Sequence, residues 1–125
     1  DTSEIDDCPP GKYDGYPDVI IDADEGLLER AERVIGGVKT VVCASADKFV
    51  GTVSEKRRIR AEFNADVCDM ECAGVLITAN ANGVPVLIVK AVSDGDGGAN
   101  DYIATVHEAT VQYIDFLINF IKTIE

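Results

Sequence analysis

Apolar residues fall along this chain at two spacings, and the changes between them mark its elements. From Asp22 the text reads as helix: Leu27, Leu28, Ala31, Val34 and Ile35 share one face, acids fill the first turn, Asp22 or Asp24 can cap, and Gly36-Gly37 ends the run. The stretch 38–46 is β-branched and almost continuously apolar, which predicts a strand covered on both faces. Val53-Ser54-Glu55 opens a second helix, which carries Ile59, Ala61 and Phe63 and ends near Asn64. A short strand over 65–69 and a helix of small apolar residues over 71–81 follow. The most hydrophobic stretch, 84–92, predicts a second strand buried on both faces, and a glycine-rich loop over 95–100 comes after it. Val106, Ala109, Tyr113, Phe116, Leu117 and Phe120 then recur at helical spacing in a long helix over 101–124. Residues 1–17 show neither period, contain Pro9-Pro10-Gly11 and Tyr16-Pro17, and read as a loop or extended arm.

The order α-β-α-β-α-β-α predicts an α/β fold with a largely parallel sheet flanked by helices. Three strands fall short of the roughly five or six of an average sheet, so at least one apolar edge should be open unless another segment covers it. Open parallel sheets bind ligands beyond the carboxyl ends of their strands. Two of the strands end in acids there: Asp69-Met70-Glu71 after the first, Ser93-Asp94 after the second. Glu71 and Asp94 should therefore share one crevice.

Composition narrows the function. At 125 residues and 46% hydrophobic, the chain is one domain's worth with enough apolar content for a core. A net charge of -12 excludes nucleic acid and anionic membrane surfaces as partners, since both require clustered cations. Lys56-Arg57-Arg58 with Arg60 reads as a solvated helix face. No run reaches the ~20 apolar residues of a membrane span, and the acidic start is not a signal peptide. The chain also starts without Met, which fits a trimmed, cleaved or split product.

Cysteines at 8, 43, 68 and 72 form no Cys-x-x-Cys pair, so their spacing predicts no metal site. Cys43 reads as a small buried hydrophobe of a reduced, cytoplasmic protein, and Cys68 and Cys72 as packing residues or a redox pair beside the acids. The acids and glycines from Asp94 fail the calcium-loop template, with Ala99 sixth and Thr105 twelfth. No Gly-x-Gly-x-x-Gly is present, and His107 falls inside the last helix. No cofactor is expected.

Four motifs together resemble the nucleoside phosphorylase and nucleosidase superfamily, most closely the methylthioadenosine/S-adenosylhomocysteine nucleosidases. They are Val67-Cys68-Asp69-Met70-Glu71-Cys72-Ala73-Gly74-Val75, the Val84-Pro85 strand, its terminal Ser93-Asp94, and the upstream Ser45-Ala46-Asp47-Lys48-Phe49-Val50. The likeness covers 18–125 as the C-terminal portion of such a domain, and implies that the N-terminal half of that fold is missing. It implies cleavage of the N-ribosidic bond of a purine nucleoside: first, hydrolysis to adenine and a thioribose in methionine salvage; second, phosphorolysis; third, a non-catalytic nucleoside-binding or storage protein. It further implies a cytoplasmic homo-oligomer, such as a homodimer, completed by the missing N-terminal segment or a symmetry mate.

By the same resemblance Asp94 is the general acid that protonates the purine, and Glu71 holds the ribose hydroxyls. Phe49 would stack on the base, the Val50 backbone would read its edge, Met70 would pack under the ribose, and Ser93 would orient Asp94. Read from the residues alone, Glu71 favours a helix N-terminus, Asp94 a turn, and Phe49 and Met70 a core. Three departures stand out: Lys90 where the family usually has Arg, a shortened loop after Asp94 that puts Asn100 or Tyr102 near the closing aromatic, and no residue to activate water or hold phosphate.

Overall fold

The helices begin where side chains offer the unpaired backbone amides a partner. In the computed structural model, residues 9–34, 39–93, 95 and 99–124 are described, with 99–106 described by their backbone alone. Helix α1 (Glu25–Val34) is capped by Asp24, not Asp22: Asp24 Oδ1 accepts the Leu27 N–H at 2.9 Å, and its carbonyl accepts that of Leu28 at 3.0 Å. Helix α2 (Val53–Phe63) opens with a capping box, in which Thr52 Oγ1 accepts from Glu55 N at 3.3 Å and donates to Glu55 Oε2 at 2.9 Å. It ends at Asn64, whose φ of 52° is left-handed and suits asparagine. Helices α3 (Cys72–Ala81) and α4 (Ala99–Ile121) complete the set among the described residues.

Strands β1 (Cys43–Ser45) and β2 (Val67–Asp69) pair in parallel through the crossover helix α2, with Cys43 opposite Val67 and Ser45 opposite Asp69. Both are shorter than their apolar runs. Ahead of β1, the Val42 carbonyl takes the N–H groups of Asp66 (2.8 Å) and Val67 (3.3 Å).

The stretch 84–92 departs from its prediction, because it joins no ladder among the described residues. Its Val86 carbonyl instead accepts the Asp24 N–H at 2.9 Å, and Leu87 and Val89 turn to the same side to reach the helical core. Apolar content placed this stretch against the helices, while its ends, at Val84 and Val92, are exposed, and the Val84 N–H donates to the Ala79 carbonyl at 3.0 Å.

The core is Ala31 of α1 with Phe116 and Phe120 of α4, packed against Leu27, Val34, Leu87, Val89 and Leu117. The two phenylalanine rings stack with centroids 5.5 Å apart. Helix α4 carries a second stripe, Val111, Ile114, Ile118 and Ile121, on the side away from these rings, and each of its members is about half exposed. Residues 9–17, predicted as loop or arm, turn twice and lie against the helices: Gly11 has φ 78° beside the Phe63 ring, and Tyr16 OH meets Asn80 Nδ2 at 3.4 Å. Among the described residues, no helix is long and apolar enough to cross a membrane.

Candidate active site

Because β1 and β2 are parallel, their carboxyl ends open on the same side, where a cavity of about 650 Å³ lies. That size lies within the ~300–1,000 Å³ typical of small-molecule sites. The loop after β1 contributes Phe49 and Val50, the turn from β2 into α3 contributes Met70 and Glu71, and the end of the 84–92 stretch contributes Lys90 and Ser93. Five of the six residues singled out from sequence therefore meet at one cavity from three separate stretches of chain. The sixth, Asp94, lies outside the described residues, as does the side chain of Tyr102; Ser93 and Gly95, on either side of Asp94, both line the cavity. Helix α2 forms the remaining wall and is tied across it by Lys56 Nζ, which donates to the Gly95 carbonyl at 2.6 Å.

The structural environment separates the functional from the ordinary reading of several residues. Phe49 is 71% exposed, so it is not a core residue, and its ring edge lies over Gly51, where an added Cβ would come within 3.1 Å of it. Met70 is likewise well exposed. Glu71 stands at the N-cap position of α3 but makes no side-chain hydrogen bond to the helix. Asp69 does that work, accepting the Cys72 N–H at 3.3 Å (Oδ1) and 3.2 Å (Oδ2). Ser45 Oγ, from β1, accepts the next amide, that of Ala73, at 3.1 Å. The Glu71 carboxylate is left 69% exposed, 3.5 Å from Lys90 Nζ.

Lys90 and Asp69 form the electrostatic centre. Their groups approach to 2.7 Å, and the Asp69 side chain is only 9% exposed. Burial pulls the Asp69 pKa upward, but hydrogen bonds from Cys72, Lys90 and Ser45 outweigh it and hold the carboxyl well below the usual carboxylate range. Lys90 is raised in turn, first by its hydrogen bond to Asp69, against burial, and further by the charges of Asp69 and Glu71. Burial, then Asp69, pushes the Cys43 thiol up to about 11, and the same two causes push Cys72 up to about 12.

Sequence reasoning flagged Lys90 only as a departure from a family pattern and gave Asp69 no role. The signal was present: a lysine inside an otherwise apolar run needs a counter-charge, and the strand paired to β1 ends in an acid.

Known proteins resemble this chain. A family model described as the phosphorylase superfamily matches residues 8–124. An aminodeoxyfutalosine nucleosidase of Campylobacter jejuni is 32% identical over 109 residues, which are 84% of this chain and 44% of that protein. A 5'-methylthioadenosine/S-adenosylhomocysteine nucleosidase of Staphylococcus saprophyticus is 30% identical over 110 residues, 82% of this chain and 48% of that protein. The solved structure of futalosine hydrolase from Helicobacter pylori superimposes with a TM-score of 0.88 at 26% identity, covering 98% of this chain and 55% of that one. The chain thus spans about half the length of the relatives it matches. On the family model and on these identities, the chain belongs to the phosphorylase superfamily.

Proposed function

We propose that this chain supplies the base- and ribose-binding half of a site that hydrolyses the N-ribosidic bond of a purine nucleoside. The observation that carries the reading is Glu71, a carboxylate at a helix start that caps nothing and opens onto a cavity shared with an exposed aromatic ring. Departure of a purine leaves oxocarbenium character on the ribose and needs a proton on the base. In this reading Glu71 holds the ribose hydroxyls above Met70, Phe49 covers the face of the base with the Val50 backbone at its edge, and Asp94, oriented by Ser93, delivers the proton.

Hydrolysis is placed ahead of phosphorolysis because the relatives are named as nucleosidases or as a hydrolase. The relatives' names give two substrate classes, methylthioadenosine or S-adenosylhomocysteine on one side and futalosine or its aminodeoxy form on the other. We carry both as candidates.

The site is completed, in this proposal, by a further segment or a second copy of the chain. The surface supports that reading: 8951 Å² is exposed, against about 6,500 Å² for a compact monomer of 13.4 kDa.

The test is release of free base from methylthioadenosine, S-adenosylhomocysteine and aminodeoxyfutalosine, with and without phosphate, by the purified protein, any accompanying segment or subunit being identified by mass. Phosphate-independent release, lowered at least ~100-fold in Asp94→Asn with nucleoside binding retained, is expected, since positioned acid catalysis contributes about 10²–10⁴. Release only with phosphate gives phosphorolysis, and binding without release gives a nucleoside-binding protein.

A further inference from the structure

Two cysteines that lie far apart in sequence converge on Asp69. A Cys43 sulfur from β1, an Asp69 carboxylate oxygen at the end of β2 and the Cys72 sulfur at the start of α3 all lie within 4.8 Å of one another. We propose that these three side chains form a binding site for a thiophilic divalent cation, of which zinc is the representative, with a fourth position open to water.

The geometry is close to what such an ion requires. Tetrahedral zinc with bonds of about 2.3 Å to sulfur and about 2.1 Å to oxygen holds its donors roughly 3.5–3.8 Å apart. The three groups therefore need to close by only about 1 Å. Two soft sulfurs and one carboxylate select zinc-like ions over magnesium or calcium, which take oxygen-rich sets.

The surroundings fit as well. Cys72 is 5% exposed and the Asp69 side chain is nearly covered, so the ion would be shielded from water on that side. A divalent ion with two thiolates and a carboxylate carries a net charge of about -1, and Lys90 Nζ, 2.7 Å from Asp69 Oδ2, supplies the compensating positive charge. It would hold the ligating carboxylate as an outer-shell partner. Glu71, 3.5 Å from the same ammonium, is the other charged group facing the cluster, and the Ser45 hydroxyl is already engaged by the Ala73 N–H. Burial and the neighbouring Asp69 raise both thiols, so coordination would have to displace their protons. The bound ion would tie β1, β2 and α3 together directly behind Met70 and Glu71, and this holds whatever nucleoside the cavity takes.

The experiment is a competition titration of zinc between the purified protein, kept reduced with a phosphine, and a chromophoric chelator. One zinc per chain is expected, with a Kd of about 1 µM or tighter. Cys43→Ser and Cys72→Ser should each weaken binding by at least ~100-fold, more than loss of an outer-shell partner costs, while Cys68→Ser should match the wild type. Cobalt added to the wild-type protein should give a thiolate-to-metal charge-transfer band, a readout independent of any variant. Absence of that band, or zinc binding undiminished in the Cys43→Ser/Cys72→Ser double variant, would overturn the site.

Discussion

Replacing Lys90 by methionine tests the electrostatic centre of the site most directly. The substitution keeps most of the aliphatic stem but removes the ammonium that lies 2.7 Å from Asp69 Oδ2. A fully buried acid stripped of its partner would cost about 3–5 kcal/mol. Asp69 is 9% exposed, but Lys90 is 40% exposed and its attraction is partly screened. The carboxylate also keeps the Cys72 amide as a donor. A charge-assisted hydrogen bond under partial screening is worth about 1.5–2 kcal/mol. For a chain of this length, that lowers Tm by roughly 6–8 °C.

The pH dependence has a defined sign. Asp69 has a depressed pKa, so its contribution is present above the unfolded-state value of about 4 and is lost as pH falls through the folded-state value. Lys90 has a raised pKa, so its contribution is complete below about 10.4 and is lost as pH rises through the folded-state value. Between roughly pH 5 and 9 the deficit of Lys90→Met should therefore be constant. Thermal unfolding followed by circular dichroism, in chelator-containing buffer and across that range, provides the measurement. Asp69→Asn and the double variant complete a cycle whose coupling should exceed about 1 kcal/mol. Additive losses, or a Lys90→Met deficit below about 0.5 kcal/mol, would show that the pair is a surface contact and refute the reasoning.

Glu71→Gln should leave Tm within about 1 °C, because this side chain caps nothing, while raising KM and lowering kcat together in a base-release assay; a marked loss of Tm with unchanged kinetics would return Glu71 to a structural role. Phe120→Ala should cost about 3–5 kcal/mol, because a buried stacked ring leaves a cavity, whereas Phe49→Ala should cost under about 0.5 kcal/mol and weaken nucleoside binding; equal losses of stability would contradict the assigned environments. Gly51→Ala places a Cβ 3.1 Å from Phe49 Cε1 and must shift the ring by a few tenths of an ångström, so nucleoside affinity should fall severalfold with little change in unfolding; unaltered affinity would separate the ring from the ligand.

The parts of this fold that depend on local chemistry were readable from the chain. Asp24 precedes a helical apolar pattern by the right interval, while Gly36-Gly37, expected to end that pattern, lie outside the described residues. Phe49, Met70 and Ser93 were singled out by resemblance, but the meeting of the loop after β1 with the turn after β2 at Glu71 follows from parallel strands joined by a helix. Hydrogen-bond partnership was not. The stretch 84–92 has the composition of a central strand, yet apolar content specifies burial and not which backbone lies alongside. The choice of Asp69 over Glu71 as the α3 cap was equally hidden. Both lie within a turn of the helix start, and the direction in which the chain leaves β2 decides between them. Cys43 and Cys72 meet only because Ser45 pairs with Asp69, a register that no spacing in the sequence records.

Among the described residues, helix α4 is apolar on two opposite sides, one packed into the core and the other about half exposed. Burying the remaining half of a valine or isoleucine side chain is worth about 1 kcal/mol, so Val111, Ile114, Ile118 and Ile121 together hold about 4 kcal/mol in reserve. Were a second molecule to cover that side, folding stability would become a function of concentration as well as of sequence. Whatever covers that side raises the melting temperature by mass action, and sulfate, which strengthens apolar association, should do so too. Ile118→Glu should flatten the dependence of Tm on protein concentration while leaving the Phe116–Phe120 side of the helix undisturbed.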